Sequence, residues 1–193
     1  MVARIRGDMV ECSPAIALPA GILSEKNMNA PHAENGQEDL ESLSDHGFAL
    51  AIQLLGRHED AADVVQDSLR KLIHGGQYDA HRGPKRPWFL KVVRNGALDV
   101  LRKRKPEDEE ALTQLEDIDP SPAEVAEQNE LKHIIRQQLA GMEVAQREIV
   151  LLRDFHNLSY AEIAEVMEIR AGTVMSRLHR ARKELRQRMR RYL

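Results

Sequence analysis

Apolar residues recur at helical spacing in the first part of the chain, from residue 40 to residue 74. The spacing predicts two amphipathic helices: the first ends near Gly56, and the second begins near Glu59 and is stopped by Gly75 and Gly76. The first apolar stripe is formed by Leu43, Phe48, Ile52 and Leu55. The second is formed by Ala61, Val64, Val65, Leu69, Leu72 and Ile73.

The opposite face of the second helix is acidic and polar. It carries Asp60, Asp63, Gln66, Asp67 and Arg70. A face of this kind is usually only solvated, because charged side chains on a surface helix need no partner. The other interpretation is a docking surface for a protein partner.

A basic loop and a basic helix come next. The loop runs from Gln77 to Pro87, and Pro87 suits the first turn of a helix that we predict from Trp88 to about Lys105. Aromatic rings among cations suit single-stranded nucleic acid, because bases stack on rings while phosphates meet the charges. Trp88 and Phe89 have an ordinary alternative role, since large aromatic residues at the start of a helix commonly anchor a core.

The composition changes abruptly after Lys105. Residues 106–130 hold ten acidic residues and three prolines, with no Lys or Arg, and this composition predicts a linker at a domain boundary. A helical pattern returns from about Ala123, and a further helix is predicted from Val144 to about Phe155.

The segment from Leu158 to Leu185 predicts two short helices joined by a tight turn. Ser159 and Glu162 have the spacing of a capping box for the first of them. The second begins near Ala171 and would bury Val174, Leu178 and Ala181. Its outward positions are Arg170, Thr173, Met175, Ser176, Arg177, His179 and Arg180. This pattern fits a helix-turn-helix that docks its second helix in the major groove, and the alternative is a helical hairpin with a solvated charged side.

Composition narrows the possible functions. The net charge of the 193 residues is −3, so a nucleic-acid function requires charge segregated onto particular faces. Cys12 is the only cysteine, which rules out an internal disulfide and suits a reducing cytoplasm. No apolar run approaches the roughly 20 residues of a membrane span, so we predict a cytoplasmic protein without membrane insertion. The eight histidines are scattered, and we predict no enzyme activity, metal site or cofactor.

The first 37 residues lack sustained periodicity and are predicted to form a disordered leader. Met28 could be the natural start of the chain. A regulatory role of Cys12 has no support in the sequence.

Three segments together resemble the group 4, or extracytoplasmic-function (ECF), sigma factors of the sigma-70 superfamily. Asp63, Gln66 and Asp67 match a D-x-x-Q-D/E core in the first conserved region. The segment WFLKVVRNGALDVLRKRK is similar to a second conserved segment of that family. The matching residues are Trp88, Asn95, Asp99 and Arg102. The segment QREIVLLRDFHNLSYAEIAEVMEIRAGTVMSRLHRARKEL matches the C-terminal pattern over nearly its whole length.

The resemblance implies an all-α fold of two small helical domains joined by an acidic flexible linker, the C-terminal one a helix-turn-helix. Residues 38–105 would form a region 2-like domain, 106–130 the linker, and 131–193 a region 4-like domain. The implied partners are the RNA polymerase core, promoter DNA with a duplex −35 element and a melted −10 element, and an anti-sigma factor.

The resemblance also assigns candidate roles to residues. Those implied for core polymerase binding are Asp60, Asp63, Gln66, Asp67 and Arg70. Those implied for the −10 element are Tyr78, His81, Arg82, Lys85, Arg86, Lys91, Arg94, Asn95 and Arg102. Those implied for the −35 element are Ser159, Tyr160, Arg170, Thr173, Ser176, Arg177, Arg180, Arg182 and Lys183.

The chain departs from the family pattern at several positions. Glu168 stands where glycine is usual, because the turn often needs a positive φ. Met175 stands where the family often has a basic residue, and Gly141-Met142-Glu143 replaces a Leu-Pro. The alternative that stays open is a stand-alone helix-turn-helix regulator, which would leave residues 58–105 without a role. The intact basic face of residues 171–191 argues against a sigma-like protein that binds only an inhibitor.

Overall fold

The structure is a computed structural model that describes residues 39–75, 78–104 and 126–192. These residues form seven α-helices, which confirms the predicted all-α class. The helices are α1 (Leu40–Leu55), α2 (His58–His74), α3 (Lys85–Lys103), α4 (Ala126–Ala140), α5 (Val144–Val150), α6 (Tyr160–Met167) and α7 (Ala171–Met189). A 3₁₀ turn lies at Ala80–Arg82 and a π-helical turn at Leu151–Phe155. Within the described ranges, no helix combines the length and apolar character needed to cross a membrane.

Helices α1, α2 and α3 pack into a three-helix unit. Asp39 caps α1 by accepting a hydrogen bond from the Ser42 amide at 2.8 Å, and Gly56 ends the helix with a φ of 71°. Helices α1 and α3 approach closely at Gly47, where an added Cβ would lie 2.6 Å from the Phe89 ring. This close approach leaves Phe89 fully buried, so its role as a core anchor is confirmed.

The predicted start of α3 was wrong by three residues, whereas that of α4 was close. Helix α3 begins at Lys85 instead of Trp88, and Pro87 is its third residue. A proline is tolerated there because the first amides of a helix have no partner within the helix. Helix α4 begins at Ala126, close to the predicted return of a helical pattern at about Ala123. Residues 106–125 of the predicted linker and the predicted leader lie outside the described residues.

The predicted helix from Val144 to Phe155 is α-helical only up to Val150. It then widens into the π-helical turn, in which the His156 amide donates to the Leu151 carbonyl, five residues back, at 3.0 Å. The extra residue in this turn changes the directions of the side chains that follow it.

The helix-turn-helix has the predicted geometry. The Ser159 hydroxyl accepts from the Glu162 amide at 3.3 Å, and the Glu162 carboxylate accepts from the Ser159 amide at 2.7 Å, which confirms the capping box. Glu168 ends α6 with a φ of 56°, in the left-handed region. Helix α7 buries Val174, Leu178 and Ala181 as predicted, together with Leu185 and Met189.

The two helical units lie directly against each other. Helix α3 of the first unit packs on α6 of the second, and α1 contacts α4 and α5. Buried apolar residues of both units belong to one continuous core. The sequence predicted two domains and a linker, but not this direct packing.

Candidate nucleic-acid interface

Four of the residues implied for polymerase binding form an exposed face of α2, which we call the α2 polar face: Asp63, Gln66, Asp67 and Arg70. The Arg70 guanidinium lies 3.0 Å from the Gln66 side-chain oxygen and 2.9 Å from Asp67. Asp60 lies elsewhere. It is half-buried, and its carboxylate is 2.7 Å from the Arg104 guanidinium, so it ties α2 to the end of α3.

The loop before α3 is organised around Tyr78. The Tyr78 hydroxyl donates to the Gly83 carbonyl at 3.2 Å, and its ring centre lies 5.6 Å from that of Trp88. The Lys85 ammonium lies 6.0 Å from the centre of the Tyr78 ring. His81 is exposed, while the Arg82 side chain lies outside the described part of the structure. The loop therefore brings a ring and a cation together and carries an exposed imidazole, and such groups suit contact with an unstacked base.

Three cations of α3 that we assigned to the −10 element contact the second unit. Arg86 donates to the backbone carbonyl of His156. The Lys91 ammonium lies 2.9 Å from the Glu168 carboxylate. The Arg94 guanidinium lies 3.1 Å from the Glu148 carboxylate.

Two further −10 candidates on α3, Asn95 and Arg102, are exposed. The Asn95 side-chain oxygen accepts from Arg94 at 3.1 Å. Arg102 pairs with Asp99 at 2.9 Å, one helical turn away. The −10 set is thus divided between solvent and the contact between the units.

Glu148 and Arg147 are charged residues inside the core. Burial raises the pKa of Glu148 although the neighbouring Arg94 opposes this shift, so desolvation outweighs the ion pair. Arg147 is also buried, and burial lowers its pKa. Its guanidinium donates to the Ala140 and Leu54 carbonyls at 3.1 Å each, and so joins α5 to the end of α1.

His156 lies fully buried where the two units meet. Its ring centre is 5.9 Å from that of His46 in an edge-to-face arrangement. Burial, with smaller contributions from His46 and Arg86, lowers the pKa of His156 to about 3. Neither ring nitrogen of His156 has a hydrogen-bond partner among the described residues, so the ring is held as a neutral apolar group.

The outward face of α7 remains exposed. It carries Ser176, Arg177, Arg180 and Lys183, with Arg170 exposed just before the helix and Thr173 half-buried at its start. Arg180 hydrogen-bonds the Ser176 carbonyl at 3.3 Å, which holds its guanidinium along the helix. Met175 is 64% exposed on the same helix. A helix face of this composition offers donors and cations to a groove of duplex DNA.

Other residues implied for the −35 element make contacts within the protein. Arg182 forms an ion pair with Asp154 and is mostly buried, so it braces α7 against the π-helical turn. The Ser159 hydroxyl caps α6. Tyr160 is partly exposed, and the Arg153 guanidinium lies 5.2 Å from its ring centre.

The sequence analysis did not identify Glu148, Arg147, His156 or Asp154. A signal existed for the first two, because they interrupt an apolar pattern that continues through Ile149, Val150 and Leu152. Charges at core positions are almost always paired. Their partners could not be read from the sequence, since they lie far away in the chain.

The described residues contain no group of three or more His, Cys, Asp or Glu side chains that could hold a metal ion. The chemistry available to the site is electrostatic contact, hydrogen bonding and stacking, which are the means of nucleic-acid recognition.

Comparison with known sequence families gives two matches. The family described as Sigma-70 region 2 matches residues 41–107, and the family described as Sigma-70, region 4 matches residues 132–185. The first range covers nearly all of the three-helix unit, and the second covers the helix-turn-helix up to the last turn of α7.

Among curated proteins, the chain is similar to the ECF RNA polymerase sigma factor SigE of Mycolicibacterium smegmatis, at 31% identity over 147 residues. That match covers 74% of this chain but 57% of SigE, so the chain spans little more than half of that relative. It is also 31% identical over 137 residues to the ECF RNA polymerase sigma-E factor of Haemophilus influenzae, with 64% of this chain and 71% of the relative covered.

Among solved structures, the chain is similar to the sigma factor RpoE of Bartonella quintana in complex with the anti-sigma factor NepR. The TM-score is 0.61 at 25% identity, with 78% of this chain and 94% of that chain covered. CnrH in complex with the cytosolic domain of CnrY has the same fold, with a TM-score of 0.50 at 22% identity over 77% of this chain and 87% of that chain.

Proposed function

The chain belongs to the ECF sigma factors of the sigma-70 family, and from this premise we propose that it binds the RNA polymerase core and directs promoter recognition through two separate DNA-binding surfaces. The observation that carries the proposal is the presence of cation-bearing surfaces on two different helices, α3 and α7, each in a unit that matches a different sigma region. A stand-alone helix-turn-helix regulator would need only the second of them.

Helix α7 is proposed to read the −35 element as duplex DNA. Its exposed face carries Ser176, Arg177 and Arg180 within little more than one helical turn, and these side chains suit base edges and phosphates. The buried positions of the same helix fix it against α5 and α6, so the reading face is presented by a rigid support.

Helix α3 and the Tyr78 loop are proposed to engage the melted −10 element. The Tyr78 ring, the Lys85 ammonium and the exposed Asn95 amide provide stacking, charge and hydrogen bonding on one unit. A base flipped from the non-template strand would use these groups, since an unstacked base exposes its edges and faces.

The α2 polar face is proposed as the docking surface for the polymerase core. Its side chains are exposed and alternate acidic and polar groups along one side of a helix, which supports this assignment. Asp60 would act indirectly, because its carboxylate fixes the end of α3.

An anti-sigma factor is proposed as the regulatory partner, and the protein is proposed to act in the cytoplasm. One solved structure to which the chain is similar is a sigma factor bound to an anti-sigma factor. The exposed α2 polar face and the exposed face of α7 provide surfaces that such a partner could cover.

Run-off transcription tests the proposal. Purified core polymerase is assayed with and without the protein on a library of promoter-like duplexes, and an Arg177→Ala, Arg180→Ala double variant serves as the matched control. We expect specific transcripts from the unmodified protein and a strong loss with the variant. A protein that binds duplex DNA but neither binds core nor starts transcription would instead be a stand-alone regulator.

A further inference from the structure

The methionines of the described residues differ sharply in their access to solvent. Met175, on α7, is 64% exposed, which is more than any other large apolar side chain in that part of the chain. The other three are 4–6% exposed and belong to the core: Met142, Met167 and Met189. A reagent in solution therefore reaches one of these four sulfur atoms far more easily than the others.

The first turn of α7 leaves the Met175 thioether uncovered. In a helix, a long side chain points back toward the N-terminus and lies over the residues three and four positions earlier. Those residues are Gly172 and Ala171, which are both exposed. A Cβ added at Gly172 would have no atom within 4 Å, so the space above this turn is open. The two smallest side chains of the helix thus lie beneath Met175, and neither can shield its sulfur.

Met175 also lies on the exposed face of α7 that we propose to read the −35 element. Ser176 and Arg177 follow it directly, and His179 is exposed one turn further along. In a major groove, arginines suit guanine edges and phosphates, whereas an apolar side chain suits the methyl group of thymine. A change in the polarity of Met175 would therefore alter the reading face while leaving the core as it is.

A peroxide can make this change. The thioether sulfur attacks one oxygen of hydrogen peroxide, the O–O bond breaks, and the second oxygen leaves as water with both protons. Sulfur is oxidised by two electrons to the sulfoxide, and the peroxide is reduced by two. A methionine sulfoxide reductase reverses the step, since two thiols become a disulfide and the sulfoxide oxygen leaves as water.

The sulfoxide has a different recognition chemistry from the thioether. It carries an oxygen that accepts hydrogen bonds, whereas the thioether is nearly apolar. In the major groove, this oxygen would lose water against a thymine methyl and would meet acceptors such as thymine O4 and adenine N7. A desolvated polar group without a donor costs free energy, so the oxidised face binds duplex DNA less tightly.

We propose that Met175 is a site of reversible oxidation by peroxides, and that its sulfoxide form weakens binding to the −35 element. The oxidation itself follows from the exposure of the thioether and is independent of DNA. The effect on DNA rests on the proposed function of α7.

Limited treatment with hydrogen peroxide, followed by peptide mass spectrometry, tests the oxidation. The full-length chain carries Cys12→Ser, so that no thiol competes for the reagent. Because oxidation follows exposure, we expect Met175 to react at least about tenfold faster than Met142, Met167 and Met189. Circular dichroism verifies that the treated chain stays folded. Oxidation of Met175 at the same rate as the buried methionines would overturn the proposal.

Fluorescence anisotropy with a duplex that carries the −35 element selected by run-off transcription tests the effect on DNA. Treatment should weaken binding by the Cys12→Ser chain about tenfold, and a methionine sulfoxide reductase with dithiothreitol should restore it. The matched control adds Met175→Leu, which peroxide cannot oxidise at this position and which retains every other methionine. Its affinity should be the same before and after treatment. Equal affinity of the oxidised and reduced chains, or an equal loss in the control, would overturn the effect.

The two measurements separate this proposal from the proposed function. If the untreated chain binds no duplex and supports no run-off transcription, the proposed function fails and the effect on DNA fails with it. The mass spectrum still decides whether Met175 is the site of oxidation. If the untreated chain binds its duplex and starts transcription but oxidation changes neither, the proposed function stands and the role of the sulfoxide is excluded.

Discussion

Helices α3 and α7 are both cationic, yet they present their charges differently. In α3, Lys91 and Arg94 are bound to carboxylates of the other unit. In α7, Arg177 and Arg180 are exposed. Similar sequence composition therefore gives one surface that is occupied and one that is open. The comparison teaches that a basic helix in the sequence establishes charge, whereas tertiary packing determines whether the charge is available.

Among the changes that test this difference, Arg94→Ala should have the largest effect on stability. The change leaves Glu148 buried without its partner, and we expect it to lower the free energy of unfolding by about 3 kcal/mol or more. Arg102→Ala is the matched control on the same helix, since its pair with Asp99 is exposed and should contribute less than about 1 kcal/mol. Urea denaturation followed by circular dichroism measures both; equal losses would mean that the α3 cations are not distinguished by burial.

Acid should weaken the occupied interface through His156. Its pKa falls from 6.5 to about 3 in the folded chain, so below pH 6.5 the unfolded chain binds a proton that the folded chain does not. The free energy of unfolding is thus fully retained above pH 6.5 and falls toward pH 3, by up to about 1.4 kcal/mol per pH unit. The burial that lowers the pKa of His46 acts in the same direction.

His156→Leu separates this effect from that of the carboxylates. Denaturation at pH 7 and pH 5 should show a smaller difference in the variant, by about 2 kcal/mol. A variant with the same pH dependence as the unmodified protein would exclude the buried ring as the cause.

On the open surface, Arg180→Ala should weaken binding to a −35 duplex by about 1–2 kcal/mol, roughly tenfold. Lys91→Ala is the control from the occupied surface and should leave duplex binding nearly unchanged. Fluorescence anisotropy with a duplex that carries only the selected −35 element measures both. Equal losses would contradict the division of roles between the two helices.

The smallest expected effect concerns Met175, which is 64% exposed on α7. A thymine methyl is an apolar partner for such a side chain in the major groove. Replacing thymine by deoxyuridine at each −35 position in turn should reduce binding at one position by about 0.8 kcal/mol, or about fourfold. Met175→Ala should remove the difference at that position; discrimination that persists in the variant would exclude Met175 as the reader.

Much of the fold was predictable because local patterns determine it. The apolar spacing of α1, α2 and α7 and the capping box at Ser159 gave the helices and the helix-turn-helix. The start of α3 was misplaced because a proline is compatible with several positions of a first turn, and Pro84 and Pro87 compete for the same role.

The site was predictable only in part. The exposed face of α7 follows from the burial of Val174, Leu178 and Ala181, which the periodicity shows. The partners of Lys91 and Arg94 do not follow from any local pattern, since they are set by how the two units meet. The family resemblance assigned Arg182 to DNA, and its pair with Asp154 depends on the path of the chain through the π-helical turn.

That π-helical turn gives the second unit an unusual dependence on chain length. The turn sets the directions of Arg147 and Glu148, which precede it, relative to those of Asp154, which lies within it, and of the His156 carbonyl, which follows it, and each of these groups contacts a residue of another helix. Deletion of a single residue between Leu151 and Phe155 would allow a regular helix and rotate one set relative to the other by about 100°. Every apolar residue could be kept, and the two units would still lose the alignment of their contacts. In this segment the number of residues is therefore under stronger constraint than their identity.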